Sequence, residues 1–279
     1  MPRVSIVLPV YNGGRFIEKA VKSVQSQSFR DWELCVVDDG STDGTQSIVE
    51  HAQAHDTRIR YARNDRNLGI QKTLNKGLAM AQGMYVARID ADDQWIDFEK
   101  LSGQVAFLDK HGDYALVGTG AVVTDEHGKE LSRFLNPETD VQIRHRILGK
   151  NCFTHSSVLF RADAARELKG YDEKSDARHV EDYDLWLRMG RKWKFANLPL
   201  YGVSWTLLAS GLGSQNKLEQ FVNAFAVSRR YRDAYPYALA GQARHAARIM
   251  LYWFFSLIPG AKARTACARL WTRAFKRAL

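Results

Sequence analysis

The chain has 279 residues, 45% hydrophobic and 25% charged, with three cysteines and a formal net charge of +9. This is enough for one large α/β domain with an appendage, and it excludes a globally disordered chain. Cys35, Cys152 and Cys267 are too scattered for a disulfide framework or a metal-ligand spacing, which fits a reducing cytoplasm.

Met1-Pro2-Arg3 leads straight into Val4 to Pro9, a β-branched run that predicts a strand and no secretory leader. Asn12-Gly13-Gly14 breaks that strand, and Phe16, Ile17, Ala20, Val21 and Val24 then recur at helical spacing. Trp32 to Val37 predicts a second strand. Asp38-Asp39-Gly40-Ser41-Thr42-Asp43 closes it with a loop and an N-cap for a helix through Ile48 and Val49. Ile59 to Ala62 gives a third strand, Gly69 to Ala81 a helix with Leu74 and Leu78 on one face, and Tyr85 to Ile89 a fourth strand. This alternation predicts an α/β fold with a mostly parallel, doubly wound central sheet flanked by helices. A helix over Phe98 to Lys110 and a strand over Tyr114 to Thr124 follow. Asp125 to Gly128 then reads as a hairpin turn into Leu131 to Leu135. Val141 to Leu148 predicts a helix, Ser157 to Phe160 a strand, and Glu181 to Met189 a helix with Leu185, Trp186 and Met189 inward.

Residues 212–279 predict a mainly helical extension, broken at Pro236 and Pro259, after a catalytic domain over 1–211. The extension holds 12 Lys/Arg against two acids, so the basic character of the chain resides there, and an anionic partner is expected. The longest apolar run, Ile249 to Pro259, falls short of the about 20 residues that span a bilayer.

Asp90-Ala91-Asp92-Asp93 directly follows the fourth strand, at the edge where open α/β sheets bind ligands. Like charges gathered there are costly unless a cation neutralises them. Mg²⁺ in particular is held by one or two carboxylates plus substrate phosphates. Two further acidic groups end or begin elements, Asp38-Asp39 and Glu181-Asp182. Singly, these groups read as a loop and helix cap, as solvated charges, or as complements to a helix N-terminus. Together, in this order on an α/β alternation, they describe a site for a metal and a phosphorylated ligand.

The segments Val4-Ser5-Ile6-Val7-Leu8-Pro9-Val10-Tyr11-Asn12, Val36-Val37-Asp38-Asp39-Gly40-Ser41-Thr42-Asp43, Asn67-Leu68-Gly69-Ile70, Arg88-Ile89-Asp90-Ala91-Asp92-Asp93 and Glu181-Asp182-Tyr183-Asp184-Leu185-Trp186-Leu187-Arg188 occur in this order. Over roughly residues 1–205 the chain thereby resembles glycosyltransferase family 2, inverting enzymes with a nucleotide-sugar-binding, GT-A-type α/β fold. The resemblance implies that Pro9, Tyr11 and Asn12 line the base pocket and that Asp39 accepts a hydrogen bond from the base, most naturally uracil N3–H. It implies that Asp38 supports that loop, that Asn67 and Gly69 lie along the nucleotide, and that Arg88 faces the diphosphate or braces the carboxylates. Asp90-Ala91-Asp92 matches the Asp-X-Asp element. Asp90 would tend toward the ribose, the sugar or the metal, and Asp92 toward Mn²⁺ or Mg²⁺, with Asp93 an alternative metal neighbour. Asp182 is the expected base and Glu181 its orienting or acceptor-contacting partner. His155 is either an acceptor-side residue or a polar surface histidine. The family's Tyr-Arg-X-His element is replaced by Tyr201-Gly202-Val203-Ser204-Trp205, which puts a third metal or diphosphate contact there in doubt. Trp205 reads either as a sugar-stacking side chain or, more simply, as core.

The expected reaction moves a sugar from a nucleotide-sugar donor, a UDP-sugar first, to a growing polysaccharide or lipid-linked glycan. Arg244 to Lys276 mixes basic residues with Ile249, Leu251, Tyr252, Trp253, Phe254, Phe255, Leu257 and Trp271. This predicts a peripheral contact with the anionic inner face of the cell membrane, or else ordinary helices packed on the core. A sugar-phosphate nucleotidyltransferase is the enzymatic alternative, although Asn12-Gly13-Gly14-Arg15 makes a poor phosphate loop. A nucleic-acid-binding protein using the basic extension is the other alternative, but no base-stacking or groove-reading motif accompanies it.

Overall fold

A computed structural model describes residues 1–174, 177–208 and 217–256. The first half follows the sequence pattern closely. Strands β1 (Val4–Val10), β2 (Trp32–Asp38), β3 (Ile59–Arg63) and β4 (Tyr85–Arg88) alternate with helices α1 (Ile17–Gln25), α2 (Thr45–His55) and α3 (Ile70–Met80). All four strands run parallel, in the order β3-β2-β1-β4. Because β2 and β4 flank β1 on opposite sides, the chain reverses its direction of travel across the sheet at β1. A crevice opens beyond the C-terminal ends of β1 and β4.

The expectation of a mostly parallel sheet holds for this half only. After the two-residue β5 (Gln94–Trp95) and helix α4 (Lys100–Lys110), the chain adds β6 (Tyr114–Thr124), β7 (Glu130–Phe134), β8 (Leu159–Arg161) and β9 (Lys194–Thr206). β8 lies antiparallel between β4 and β6, β7 pairs antiparallel with β6, and β9 runs parallel to β6 and antiparallel to β5. The result is one mixed sheet. The hairpin turn at Asp125 to Gly128 joins β6 to β7 as the sequence predicts, with Gly128 N–H donating to Asp125 O.

β9 is the longest strand, and the sequence gives little warning of it, because Pro199 and Gly202 interrupt its run. The β6–β9 ladder absorbs this with a bulge. Thr119 pairs with Leu198 and Gly120 with Tyr201, so Pro199 and Leu200 drop out of register where a proline's missing N–H costs nothing. Helices α5 (Asp140–Arg146), α6 (Ala162–Glu167) and α7 (Glu181–Met189) follow the second half of the sheet. α5 opens with a capping box between Thr139 and Gln142.

Two hydrophobic clusters cover the two faces of the sheet. One joins α1, α2 and α4 to β1 and β2 through Ile17, Val21, Val49 and Leu101. The other surrounds Trp186 of α7 with Phe153, Phe160, Phe195 and Leu74. The extension contributes α8 (Lys217–Arg230) and α9 (Ala238–Ser256). Val227, Tyr231 and Tyr235 are buried in the Trp186 cluster, so the described part of the extension packs on the catalytic body. Leu257 and Trp271 of the expected membrane segment lie outside the described residues. No helix among the described residues is long and apolar enough to cross a membrane.

The loop after β2 depends on Gly40, whose φ is +77°. A Cβ there would sit 2.7 Å from the backbone carbonyl carbon of Arg66. Gly40→Ala therefore combines a left-handed backbone penalty with a clash against backbone. It is expected to lower unfolding free energy by about 2–4 kcal/mol, read by urea denaturation.

Candidate active site

The loops at the C-terminal ends of β1, β2 and β4 build one site. On the β1–β2 side, backbone and side chains zip two loops together. Asn12 N–H donates to Ser41 Oγ (2.9 Å) and Asn12 Oδ1 accepts from Thr42 N–H (2.8 Å). Gly13 N–H donates to Thr45 Oγ1 (3.0 Å) and Gly14 N–H to Asp43 Oδ2 (3.0 Å). Asn12 holds a positive φ of 50°, a conformation that asparagine tolerates better than most residues. Pro9 is buried within β1, whereas Tyr11, one residue past the strand, stands exposed beside this zipper.

Asp38 and Asp39 divide their work. Asp38 is wholly buried and accepts from Ser41 N–H (2.7 Å) and Tyr61 O–H (2.8 Å), with Arg63 Nε 3.9 Å away. It is a brace for the loop. Asp39 reaches the other way. Its Oδ1 accepts from Asn64 Nδ2 and Leu68 N–H (2.8 Å each), and its Oδ2 accepts from Gly69 N–H (2.9 Å). Asp39 thereby ties β2 to the start of α3, and its Oδ2 retains acceptor capacity beyond the one bond it makes. Asn67 also caps Gly69 N–H (3.1 Å), so Asn67 and Gly69 belong to the same turn.

The acidic run after β4 is the electrostatic centre. Asp90, Asp92 and Asp93 each place a carboxylate oxygen within 4.8 Å of the others, while Ala91 is buried between them. Arg88 is buried and forks onto both oxygens of Asp90, so it braces a carboxylate. Asp93 is 1% exposed, far from a solvated loop charge. It accepts from Ser156 Oγ (2.5 Å) and from Thr206 N–H of β9 (2.9 Å). Burial, then the charges of Asp90 and Asp92, push the Asp93 carboxyl well above its ordinary range. The same two causes, burial first and then Asp90, raise Asp92 to about 6. Among the described residues, no side chain donates to Asp92 as Ser156 does to Asp93 or Arg88 to Asp90, so its carboxylate keeps free acceptor capacity in this cluster. A hard oxygen-seeking cation such as Mn²⁺ or Mg²⁺ suits this donor set, since it would relieve the repulsion that raises these groups.

Glu181 and Asp182 begin α7, in the same field. Arg88 lowers and Asp90 raises the affinity of both carboxylates for a proton, which places all four groups in one neighbourhood. Asp182 is half-buried. It accepts from Asn151 Nδ2 (2.8 Å) and from Tyr183 N–H (2.7 Å), and burial raises its pKa. Burial and then the charge of Asp182 raise Glu181 to about 7. Glu181 Oε2 and Arg88 Nε are buried without a hydrogen-bond partner, two polar atoms of one site that a polar ligand group would satisfy. Asp184, in the same motif, is structural: it is wholly buried and holds Arg188, Arg230 and Tyr231.

Two expectations change. His155 is no surface histidine: its Nε2 lies 2.9 Å from Tyr171 Oη, its ring packs edge-on against Trp186, and burial with Arg88 nearby holds it neutral. Trp205 is no core residue. It is 41% exposed on β9, because its neighbours Ser204 and Thr206 point inward and the strand alternates faces. Thr206 N–H binds Asp93, so Trp205 stands beside the acidic cluster.

Sequence reasoning missed Ser156 and Asn151. Ser156 Oγ binds Asp93, accepts from Asp90 N–H (3.0 Å) and lies 3.4 Å from Arg88, joining the three. Both residues were in the stretch from Asn151 to Ser157, and its density of small polar residues just before a buried strand was the available signal.

A family model described as Glycosyl transferase family 2 matches residues 5–169. EpsE of Bacillus subtilis (strain 168), whose name reads "Putative glycosyltransferase", is 41% identical over 191 residues, covering 67% of this chain and 66% of its own. The Campylobacter jejuni GalNAc(5)-diNAcBac-PP-undecaprenol beta-1,3-glucosyltransferase is 40% identical over 156 residues, 54% of this chain and 49% of its own. Among solved structures, S. aureus TarS 1-349 in complex with UDP-GlcNAc aligns with a TM-score of 0.68 at 19% identity, covering 90% of this chain and 72% of that one. This chain therefore spans two thirds or less of the length of those two relatives, and the structural likeness carries the fold.

Asp92→Asn removes a charge that the metal-free site holds at a cost. The metal-free variant is expected to melt no lower than the parent, and Mn²⁺ is expected to raise the Tm of the parent but not of the variant. Differential scanning calorimetry with and without Mn²⁺ reads both.

Proposed function

This chain belongs to glycosyltransferase family 2, and we propose that it transfers a sugar with inversion from a UDP-sugar to a hydroxyl of a polysaccharide or lipid-linked glycan. The family sets aside the nucleotidyltransferase and nucleic-acid readings. The observation that supports the finer proposal is that two carboxylate sets share one electrostatic neighbourhood. Asp90, Asp92 and Asp93 follow β4, and Asp182, held by Asn151 and the first turn of α7, feels the charges of Asp90 and Arg88.

In this reading Tyr11 offers an exposed ring to the base, and Asp39 Oδ2 accepts a base N–H. Asn12, Asn67 and Gly69 shape the turn that receives the nucleoside, and Asp38 keeps that turn rigid. Arg88 fixes Asp90 toward the ribose or sugar. Asp92, with Asp90, would hold Mn²⁺ or Mg²⁺, which would supply charge neutralisation for the diphosphate leaving group. Asp182 takes the proton of the acceptor hydroxyl as that oxygen attacks the anomeric carbon, and Glu181 orients the acceptor. His155, kept neutral, and exposed Trp205 line the acceptor side. A diphosphate-linked polyprenol acceptor is supported by the Campylobacter relative's name, and a uridine nucleotide by that of the staphylococcal structure. Peripheral contact with an anionic membrane belongs to the same proposal. Exposed Tyr237, Leu239 and Met250 stand among the arginines of α9 and its approach.

Nucleoside diphosphate release from UDP-, GDP- and dTDP-sugars, with Mn²⁺ or Mg²⁺ and membrane lipid extract as acceptor source, tests the reading. One donor is expected to turn over. Asp182→Asn should reduce kcat by about 10²- to 10⁴-fold while donor affinity stays unchanged. Equal turnover in the variant would remove Asp182 as the base.

The pH profile follows from the raised carboxylates. A base must be deprotonated to act, and Glu181 near 7 and the raised Asp182 share a field. The value of log(kcat/KM) is expected to climb with pH up to about 7 and level off above it. A flat profile between pH 5 and 8 would contradict this assignment.

A further inference from the structure

Beyond the catalytic crevice, α5 and α9 enclose a pocket of about 250 Å³, lined by Arg146, Arg244, His145, Tyr237, Gly149 and Gly241. It is a built feature. α9 approaches the 147–150 loop to backbone contact, since a Cβ on Gly241 would lie 2.8 Å from the carbonyl carbon of Leu148. His245 Nε2 bonds Leu148 O (3.0 Å) and Arg248 donates to Gly149 O (2.8 Å), fixing that wall of the pocket.

Among the described residues, the pocket gathers positive charge without a carboxylate paired to it. Among the described residues no carboxylate pairs with Arg146, Arg244 or Arg248, and residues 257–279 contain no Asp or Glu. The cations act on one another: Arg248 holds its proton less tightly than usual, through burial and then through Arg244. An uncompensated cluster of guanidinium groups favours an anion with several acceptor oxygens, and phosphate fits the guanidinium fork. Leu148, Ala240 and the ring of Tyr237, 62% exposed, give the wall an apolar part. An anion pocket with an exposed aromatic ring in its wall suits an amphiphile rather than a free salt.

The pocket is also coupled to the base. Gly149, in its wall, lies two residues from Asn151, whose Nδ2 holds Asp182 at 2.8 Å. Two Cα–Cα steps span at most about 7.6 Å.

We infer that the Arg146–Arg244 pocket binds the phosphate of a lipid-linked acceptor, so that the lipid phosphate and the reacting hydroxyl are recognised at the two ends of one short loop. This rests on the proposed transfer to a lipid-linked glycan and deepens it. The preferred acceptor carries its reacting sugar close to the phosphate.

The test is binding of farnesyl diphosphate to the full chain by calorimetry. EDTA is present to silence the metal-dependent diphosphate site, and farnesol and inorganic pyrophosphate serve as comparison probes. Farnesyl diphosphate is expected to bind at least tenfold more tightly than either comparison probe. Arg146→Gln/Arg244→Gln should weaken it at least tenfold. Arg146→Gln alone, an exposed side chain with no protein partner, should weaken it severalfold with an unchanged melting curve. Equal affinity in parent and variants would overturn the inference, as would farnesol binding as well as its diphosphate. Pyrophosphate binding as tightly as farnesyl diphosphate would overturn the lipid-linked assignment. Donor turnover is measured separately. Loss of nucleoside diphosphate release with arginine-dependent binding intact would fault the transferase reading and leave the pocket standing.

Discussion

Five carboxylates, those of Asp90, Asp92, Asp93, Glu181 and Asp182, share a crevice with one buried guanidinium, that of Arg88. Like charges within 4.8 Å repel by on the order of 3–4 kcal/mol per pair at an effective dielectric near 20. The protein relieves part of this by committing Asp90 to Arg88 and Asp93 to Ser156 and β9, and part through raised proton affinity. The remainder falls on Asp92 and Glu181, the groups raised to about 6 and about 7. That residual repulsion favours a cation on one side and a proton acceptor on the other. In the proposed reaction a donor diphosphate, itself anionic, would approach the aspartates together with a cation.

The mixed architecture of the sheet follows from the same centre. A purely parallel continuation would have placed another helix-linked strand beside β4. Instead β8 runs antiparallel to β4, and Ser156, just before it, arrives beside Asp90 and Asp93. β9 returns through the sheet so that Thr206 N–H caps Asp93, and Trp205 next to it is exposed. The seam between the parallel and antiparallel halves is therefore where the acidic cluster is held from both sides.

The parallel half was legible because its signals are local. Each β-branched run ends in a turn-forming or acidic stretch, and the pattern needs no partner to be read. The carboxylates at Asp38, Asp90 and Asp182 were legible for the same reason. What escaped depends on distant partners. Ser156 acquires its role from residues 63 to 68 positions away. β9 is a strand only because β6 accommodates its proline. Trp205 looked like core because its apolar ring says nothing of which face of β9 meets solvent. His155 could not be assigned until Tyr171 and Trp186 enclosed it.

The extension, basic in sequence and thus easily read as an independent tail, acts on the acceptor side through backbone groups. Tyr183 Oη donates to Ile147 O, Ser228 Oγ to Leu148 O and Arg248 to Gly149 O, so three consecutive carbonyls are held by α7, α8 and α9. Asn151 follows two residues after Gly149 and binds Asp182. Arg230 of α8 reaches Asp184, one helical position pair beyond Asp182 on the same short helix. A helix of nine residues whose first turn carries Glu181, Asp182 and Asp184 has little internal rigidity of its own. Its orientation is set by what grips it from outside, and much of that grip comes from residues 217–256. Charge and packing in the extension are thus one arrangement. The hydrogen bonds from α7, α8 and α9 fix the loop that leads to Asn151 and Asp182, and Arg146 and Arg244 line the pocket beside that loop.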